Sequence, residues 1–237
     1  MTERFNPQTG KWEANFAFVE PTMRPSEIES AAQLVEASKI KTTDPQAWVA
    51  EQAQEVAQRA KLLHEQGLDF SDPGILIGFR EKDLSIDALL EVMHSRGLMY
   101  NSRDNRDSIK GLKKRQSLRT SGGMLLADKQ MQMRGQRQRR IAKQVTATSQ
   151  KITDAVKGLT AIQLGMVPNL QLYNQSEDVR REMRGLTTCT PDGSARGRVE
   201  CIHGWDGDDQ EVGLRTWIGA SSPTRGARVA VVKKTQD

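Results

Sequence analysis

The chain's densest concentration of charged side chains is cationic. Residues 103–143 hold 13 Lys and Arg against three acidic residues, a net charge of +10. Lys110, Lys113, Lys114, Arg115 and Arg119 precede a Gly122-Gly123 break; Arg134, Arg137, Arg139, Arg140 and Lys143 follow it. Guanidinium groups grip phosphate oxygens through a planar fork of N–H donors. Arg137, Arg140 and Lys143, three residues apart, share one helical face and suit a phosphate backbone. Tyr100 is the sole aromatic between Phe79 and Tyr173, so bases find little to stack on. The expected ligand is RNA or DNA held by its backbone, with an affinity that falls steeply as salt rises.

Other groupings are weaker. Cys189, Cys201 and His203 come nearest to a metal set, with Asp206 as the nearest candidate for a fourth ligand. Zinc takes four ligands at tighter spacing. A Cys–His nucleophile would need an orienting group and an oxyanion hole, and neither is visible. Ordinary thiols are expected, with no metal and no cofactor. The acidic run 206–211 lacks the glycine and glutamate positions of a calcium loop. No phosphate-binding glycine loop, HExxH or GxSxG occurs, so no enzymatic activity is expected.

The elements that must position these side chains come next. Of 237 residues, 36% are hydrophobic and 5% aromatic, below the roughly 45–50% apolar share of average globular chains. The net charge of +5 conceals segregation: residues 1–102 carry −6 and residues 144–237 carry +1. Five segments follow: an arm (1–25), an acidic helical domain (26–102), a basic segment (103–140), a heptad helix with a short charged helix (141–187), and a β-like or disordered tail (188–237). The apolar run 75–79 is far shorter than the ~20 residues of a membrane helix, and no secretory signal is visible at the N-terminus. The expected location is cytoplasmic, or virion-associated if the source is viral.

In the arm, Trp12, Phe16 and Phe18 alternate and would dock on the chain's own helices or on a partner. Ser26 with Glu29 forms a capping box. Asp44 before Pro45 joins a cap to a proline at the first helical position, and Val49, Ala53, Val56, Ala60 and Leu63 recur at helical spacing up to Gly67. Residues 75–79 are a strand or a buried loop. Ser85 opens a helix whose inward residues are Ile86, Leu89, Leu90 and Met93, closed by Gly97.

From Met124 to Met166 a heptad count gives one long helix, interrupted in quality by Gly135 and Gly158 and ended by Pro168. Its best seam carries Ile141, Val145, Ile152, Leu159, Ile162 and Met166, which would bring copies of the chain together or pack on the N-terminal domain. Beyond it, 198–203, 211–218 and 228–232 are β-like.

The expected fold is therefore mainly α, with a small helical N-terminal domain, a long basic helix with a partial heptad seam, and a short β-like or disordered C-terminal segment. The expected function is that of a structural or assembly protein that binds nucleic acid through the basic segment and self-associates through the seam. Its arm and acidic domain would meet other proteins. In general design it resembles assembly components such as viral matrix- or nucleocapsid-associated proteins. The alternative is a protein–protein adaptor with no nucleic-acid binding.

Overall fold

The computed structural model describes residues 3–6, 11–14, 18, 20–68, 73–79, 83–99, 123–129, 131–193, 198–204, 211–218 and 222–233. The fold is mixed, not mainly α. Its helices are α1 (Pro25–Glu36), α2 (Pro45–Glu65), α3 (Ile86–Ser95), α4 (Gln138–Ala155), α5 (Met166–Gln175) and α6 (Glu177–Glu182). Its strands are β1 (Glu3–Asn6), β2 (Lys11–Ala14), β3 (Pro73–Gly78), β4 (Gly123–Asp128), β5 (Leu159–Gln163), β6 (Thr187–Gly193), β7 (Arg198–Gly204), β8 (Val212–Ile218), β9 (Arg225–Gly226) and β10 (Val229–Lys233).

Three sheets form. β1 and β2 pair as an antiparallel hairpin. A four-stranded sheet runs β3-β4-β10-β5 and is antiparallel throughout. A second runs β8-β7-β6-β9, with β6 and β9 parallel. The three C-terminal runs thus coincide with β7, β8 and β10, but they do not form a meander. β10 leaves its neighbours and enters the other sheet between β4 and β5.

The long helix expected over residues 124–166 is not there. Its first part is β4, and its last part is β5 followed by α5. Only residues 138–155 are helical between them. Gly135 and Gly158 explain the breaks: their φ values are +72° and +85°, in the left-handed region that stops a right-handed helix and that glycine tolerates.

α2 follows from its sequence most directly. The Asp44 carboxylate accepts a hydrogen bond from the Ala47 amide at 2.9 Å, Pro45 occupies the first turn, and Val49, Ala53, Val56, Ala60 and Leu63 are all buried. Gly67, at φ +69°, ends it. Asp44→Ala should lower stability by about 1 kcal/mol, read as a lower urea midpoint at unchanged slope. In α3, Ser85 caps the Ala88 amide and Ile86, Leu89, Leu90 and Met93 are buried. α1 starts earlier than the Ser26/Glu29 pair implies. Pro25 takes its first position, and the Glu27 carboxylate accepts from the Arg24 amide at 2.9 Å.

α5 lies at the centre, with all ten of its residues buried. It packs against α1, α3, β3, β6 and β7. α2 covers the β3-β4 part of the first sheet, and α4 lies against β5 and β6. One hydrophobic cluster joins these elements, from Ala31 in α1 to Val232 in β10, with Phe18 packed at its edge. The Phe18 ring lies 5.2 Å from that of His64. The side chains of Trp12 and Phe16 lie outside the described residues.

At the end of β10, Lys233 and Arg59 both pair with Glu55 on α2. Hydrogen bonds from Lys233 and Arg59 hold the Glu55 carboxyl below its ordinary value. A lowered folded value adds stability that is full above the ordinary glutamate value of about 4.3 and is lost as pH falls through the folded one. Glu55→Gln should therefore flatten the acid-side fall in melting temperature, measured from pH 6 down to about pH 3.

Candidate nucleic-acid interface

Residues 131–137 form the turn that delivers α4. Four backbone ties set it. The Met131 amide donates to Glu182 Oε1 at 2.6 Å, Gln132 and Ala227 exchange backbone hydrogen bonds at 2.9 Å, and the Gly135 amide donates to the Arg225 carbonyl at 2.8 Å. Gly226 makes this approach possible. A Cβ there would sit 2.4 Å from the Gln132 carbonyl oxygen and 2.7 Å from Met131 Cγ. Gly226→Ala should destabilise the protein by about 1–3 kcal/mol through this overpacking, seen in chemical denaturation.

α4 is one-sided. Ile141, Val145 and Ile152 are buried, and at spacings of four and seven they lie on one helical face. The other face is polar: Arg139, Arg140, Lys143 and Gln144 are exposed, as is Arg137 at the N-cap. Around this end lies an open hollow of about 390 Å³, lined by Gly135, Gln136, Arg137, Arg139, Arg140 and Lys143. Arg137 makes no side-chain capping bond, and α4 points its positive N-terminal end into the same space. Among the described residues, no carboxylate lies within ion-pair distance of Arg137, Arg139, Arg140 or Lys143. Four cations therefore converge without neutralisation by described residues, an arrangement that favours an anion with several charged oxygens.

The ten basic residues singled out in the sequence divide three ways. Arg137, Arg139, Arg140 and Lys143 come together at the hollow. Arg134 does not belong to that set: it pairs with Glu182 at 3.0 Å and helps hold the turn. Lys110, Lys113, Lys114, Arg115 and Arg119 lie outside the described residues.

The heptad seam is used inside the chain. Ile141, Val145, Ile152, Leu159 and Met166 are members of its hydrophobic core, and Ile162 packs against that core partly buried. Leu159 and Ile162 stand in β5, which pairs with β10, so they are not on a helix at all. Within one chain, these residues pack α4, β5 and α5 together rather than lying along one long helix.

Two further basic residues escaped the sequence reading because their partners are remote. Arg96 donates to the Asn174 carbonyl at 2.5 Å and to Asn174 Oδ1 at 2.7 Å. Arg180 donates to the carbonyls of Tyr173 and Asn174 at 3.0 and 3.1 Å. Burial holds both guanidinium groups below the ordinary arginine value, with repulsion from Arg180 a smaller cause at Arg96 and repulsion from Arg181 a smaller cause at Arg180. They satisfy the last carbonyls of α5 and lie apart from the hollow's lining. Ser176 stands at the N-cap position of α6 without a side-chain capping bond.

Among the described residues, no group of three or more metal-binding side chains occurs, and no helix is long and apolar enough to cross a membrane. No protein family, curated protein or solved structure matches the chain.

Proposed function

We propose that this is a structural protein that holds nucleic-acid phosphates at the N-terminal end of α4. The observation that carries the reading is the convergence of Arg137, Arg139, Arg140 and Lys143 on one open hollow, with no carboxylate partner among the described residues. Arginine predominates, and its planar donors match the oxygens of a phosphodiester. The positive end of α4 adds to the same field. The hollow is open rather than enclosed, which suits a strand passing across it better than a small molecule sealed within it.

The lining residues include no aromatic side chain, so contact is with backbone phosphates, and discrimination among base sequences is weak. RNA and DNA both satisfy this chemistry. The turn that presents the cations is fixed by Glu182, Arg225 and Ala227, so the charges are positioned before the ligand arrives.

The test is fluorescence anisotropy with labelled RNA and DNA of unrelated sequences at about 50 mM salt, followed by titration to about 200 mM. Binding to all of them, with affinities within roughly tenfold of one another and a steep decline with salt, is expected. Absence of binding at the lower salt overturns the reading and favours an adaptor that meets only proteins.

A further inference from the structure

The second sheet brings Cys189 and Cys201 together. The register of β6 and β7 places Cys189 directly opposite Cys201. Such a pair is of one of two kinds, depending on where the backbone groups of Cys189 point. The Thr187 amide donates to the Thr224 carbonyl at 2.9 Å, on the β9 side of β6. Backbone groups alternate along a strand, so those of Thr188 face β7 and those of Cys189 face away from it. The Cys189 carbonyl indeed accepts from Gln163 Nε2 at 3.0 Å, outside the β6–β7 ladder.

Cys189 and Cys201 are therefore a non-hydrogen-bonded pair, the kind in which opposite Cα atoms come within about 4.5 Å. That separation falls inside the range of about 4.4–6.8 Å that disulfides span. Cys189 is only half-buried, so a small oxidant reaches it. The register then shifts between Cys189 and Gly193, an irregularity that gives β6 freedom to adjust beside the pair.

We propose that Cys189 and Cys201 form a modification site, a reversible disulfide that staples β6 to β7 when a low-molecular-weight disulfide is the oxidant. One cysteine, as its thiolate, attacks a sulfur of the small disulfide. A mixed disulfide forms, the small molecule's S–S bond breaks, and one thiolate leaves. The second cysteine, as its thiolate, attacks the protein sulfur of that mixed disulfide, forms the Cys189–Cys201 bond and expels the second small thiolate. The two cysteines lose two protons and two electrons. The small disulfide gains both and departs as two thiols. A dithiol reductant reverses the exchange.

The test uses the full chain with oxidised glutathione, followed by iodoacetamide, trypsin and mass spectrometry. The expected product is a monomer in which the tryptic peptides 185–196 and 199–215 are linked, lighter by two hydrogens and separated again by dithiothreitol. Its melting temperature should rise by about 6–12 °C. Urea-unfolded chains should give a ratio of internal to mixed disulfide roughly tenfold lower or more, because only the folded register holds the two residues together. Cys189→Ser and Cys201→Ser should each stop at a mixed disulfide and show no such rise. Full alkylation of both cysteines after oxidant treatment, or mixed disulfides accumulating at both in the folded chain, overturns the proposal. Neither result bears on how α4 holds phosphate.

Discussion

Changing Arg137, Arg139 and Arg140 together to Ala should weaken nucleic-acid binding by about 100- to 1000-fold at about 50 mM salt. Each phosphate neutralised in a duplex adds about 0.9 to the salt slope, so losing three such contacts reduces the slope by roughly 2.7. The side chains are exposed, pair with no carboxylate among the described residues, and make no cap. Their removal should therefore change stability by no more than about 0.5 kcal/mol. Lys143→Ala alone should cost a single contact's share, roughly tenfold at the same salt. Arg134→Ala should behave differently. Its guanidinium pairs with Glu182, so its loss should leave most of the affinity intact. The measurement is anisotropy with one labelled duplex, alongside thermal melts of every variant.

The largest effect on stability is expected at Arg228. This side chain is 1% exposed. Its Nε donates to the Lys129 carbonyl at 2.9 Å, one terminal nitrogen to Thr188 Oγ1 at 2.8 Å, and the other to Glu182 Oε2 at 2.6 Å. Glu182 spends its second oxygen on the Met131 amide and Arg134. Arg228 thus ties β10's approach to β4's exit, to β6 and, through Glu182, to the turn that presents the basic hollow.

Arg228→Ala removes the charge that compensates Glu182 and opens a cavity. Breaking a buried pair in this way costs about 3–5 kcal/mol, a drop in melting temperature of about 6–20 °C for a domain of this size. Arg228→Lys keeps the charge but not the fork of donors, so it should fall between the wild type and Arg228→Ala. Below their melting temperatures, variants that remain folded should keep nucleic-acid affinity within about threefold, since Arg228 does not line the hollow.

Local signals were legible where one physical cause acted within a few residues. Asp44-Pro45 and the apolar stripe from Val49 to Leu63 specify α2 completely, because cap, proline and periodicity agree. Ser85 and Gly97 bracket α3 in the same way. The strands β4 and β5 were not legible, because what makes them strands is pairing with β3 and β10 far along the chain. β5 shows why a heptad count misleads. Leu159, Ala161 and Gln163 are buried in alternation, yet Leu159 and Ile162 also fit a helical spacing of three. By propensity alone Gly135 and Gly158 are weak points inside a helix, each costing about 1 kcal/mol, whereas their positive φ values make them its stops.

For the interface, the part on α4 was legible because Arg137, Arg139, Arg140 and Lys143 are close in sequence and share a helix end. The separate duty of Arg134 was not, since Glu182 approaches it only through the fold. The pairing of Cys189 with Cys201 was equally hidden, for it rests on the register of two strands rather than on spacing.

The most direct measurement is the dependence of duplex affinity on salt for the wild type and for the Arg137/Arg139/Arg140 triple Ala variant. Four cations at the hollow predict a wild-type slope of log K against log salt of about −3.6 or steeper, and a variant slope shallower by about 2.7. Equal slopes for the two proteins, or a wild-type slope near zero, would contradict the assignment of α4's basic end as the phosphate-binding surface.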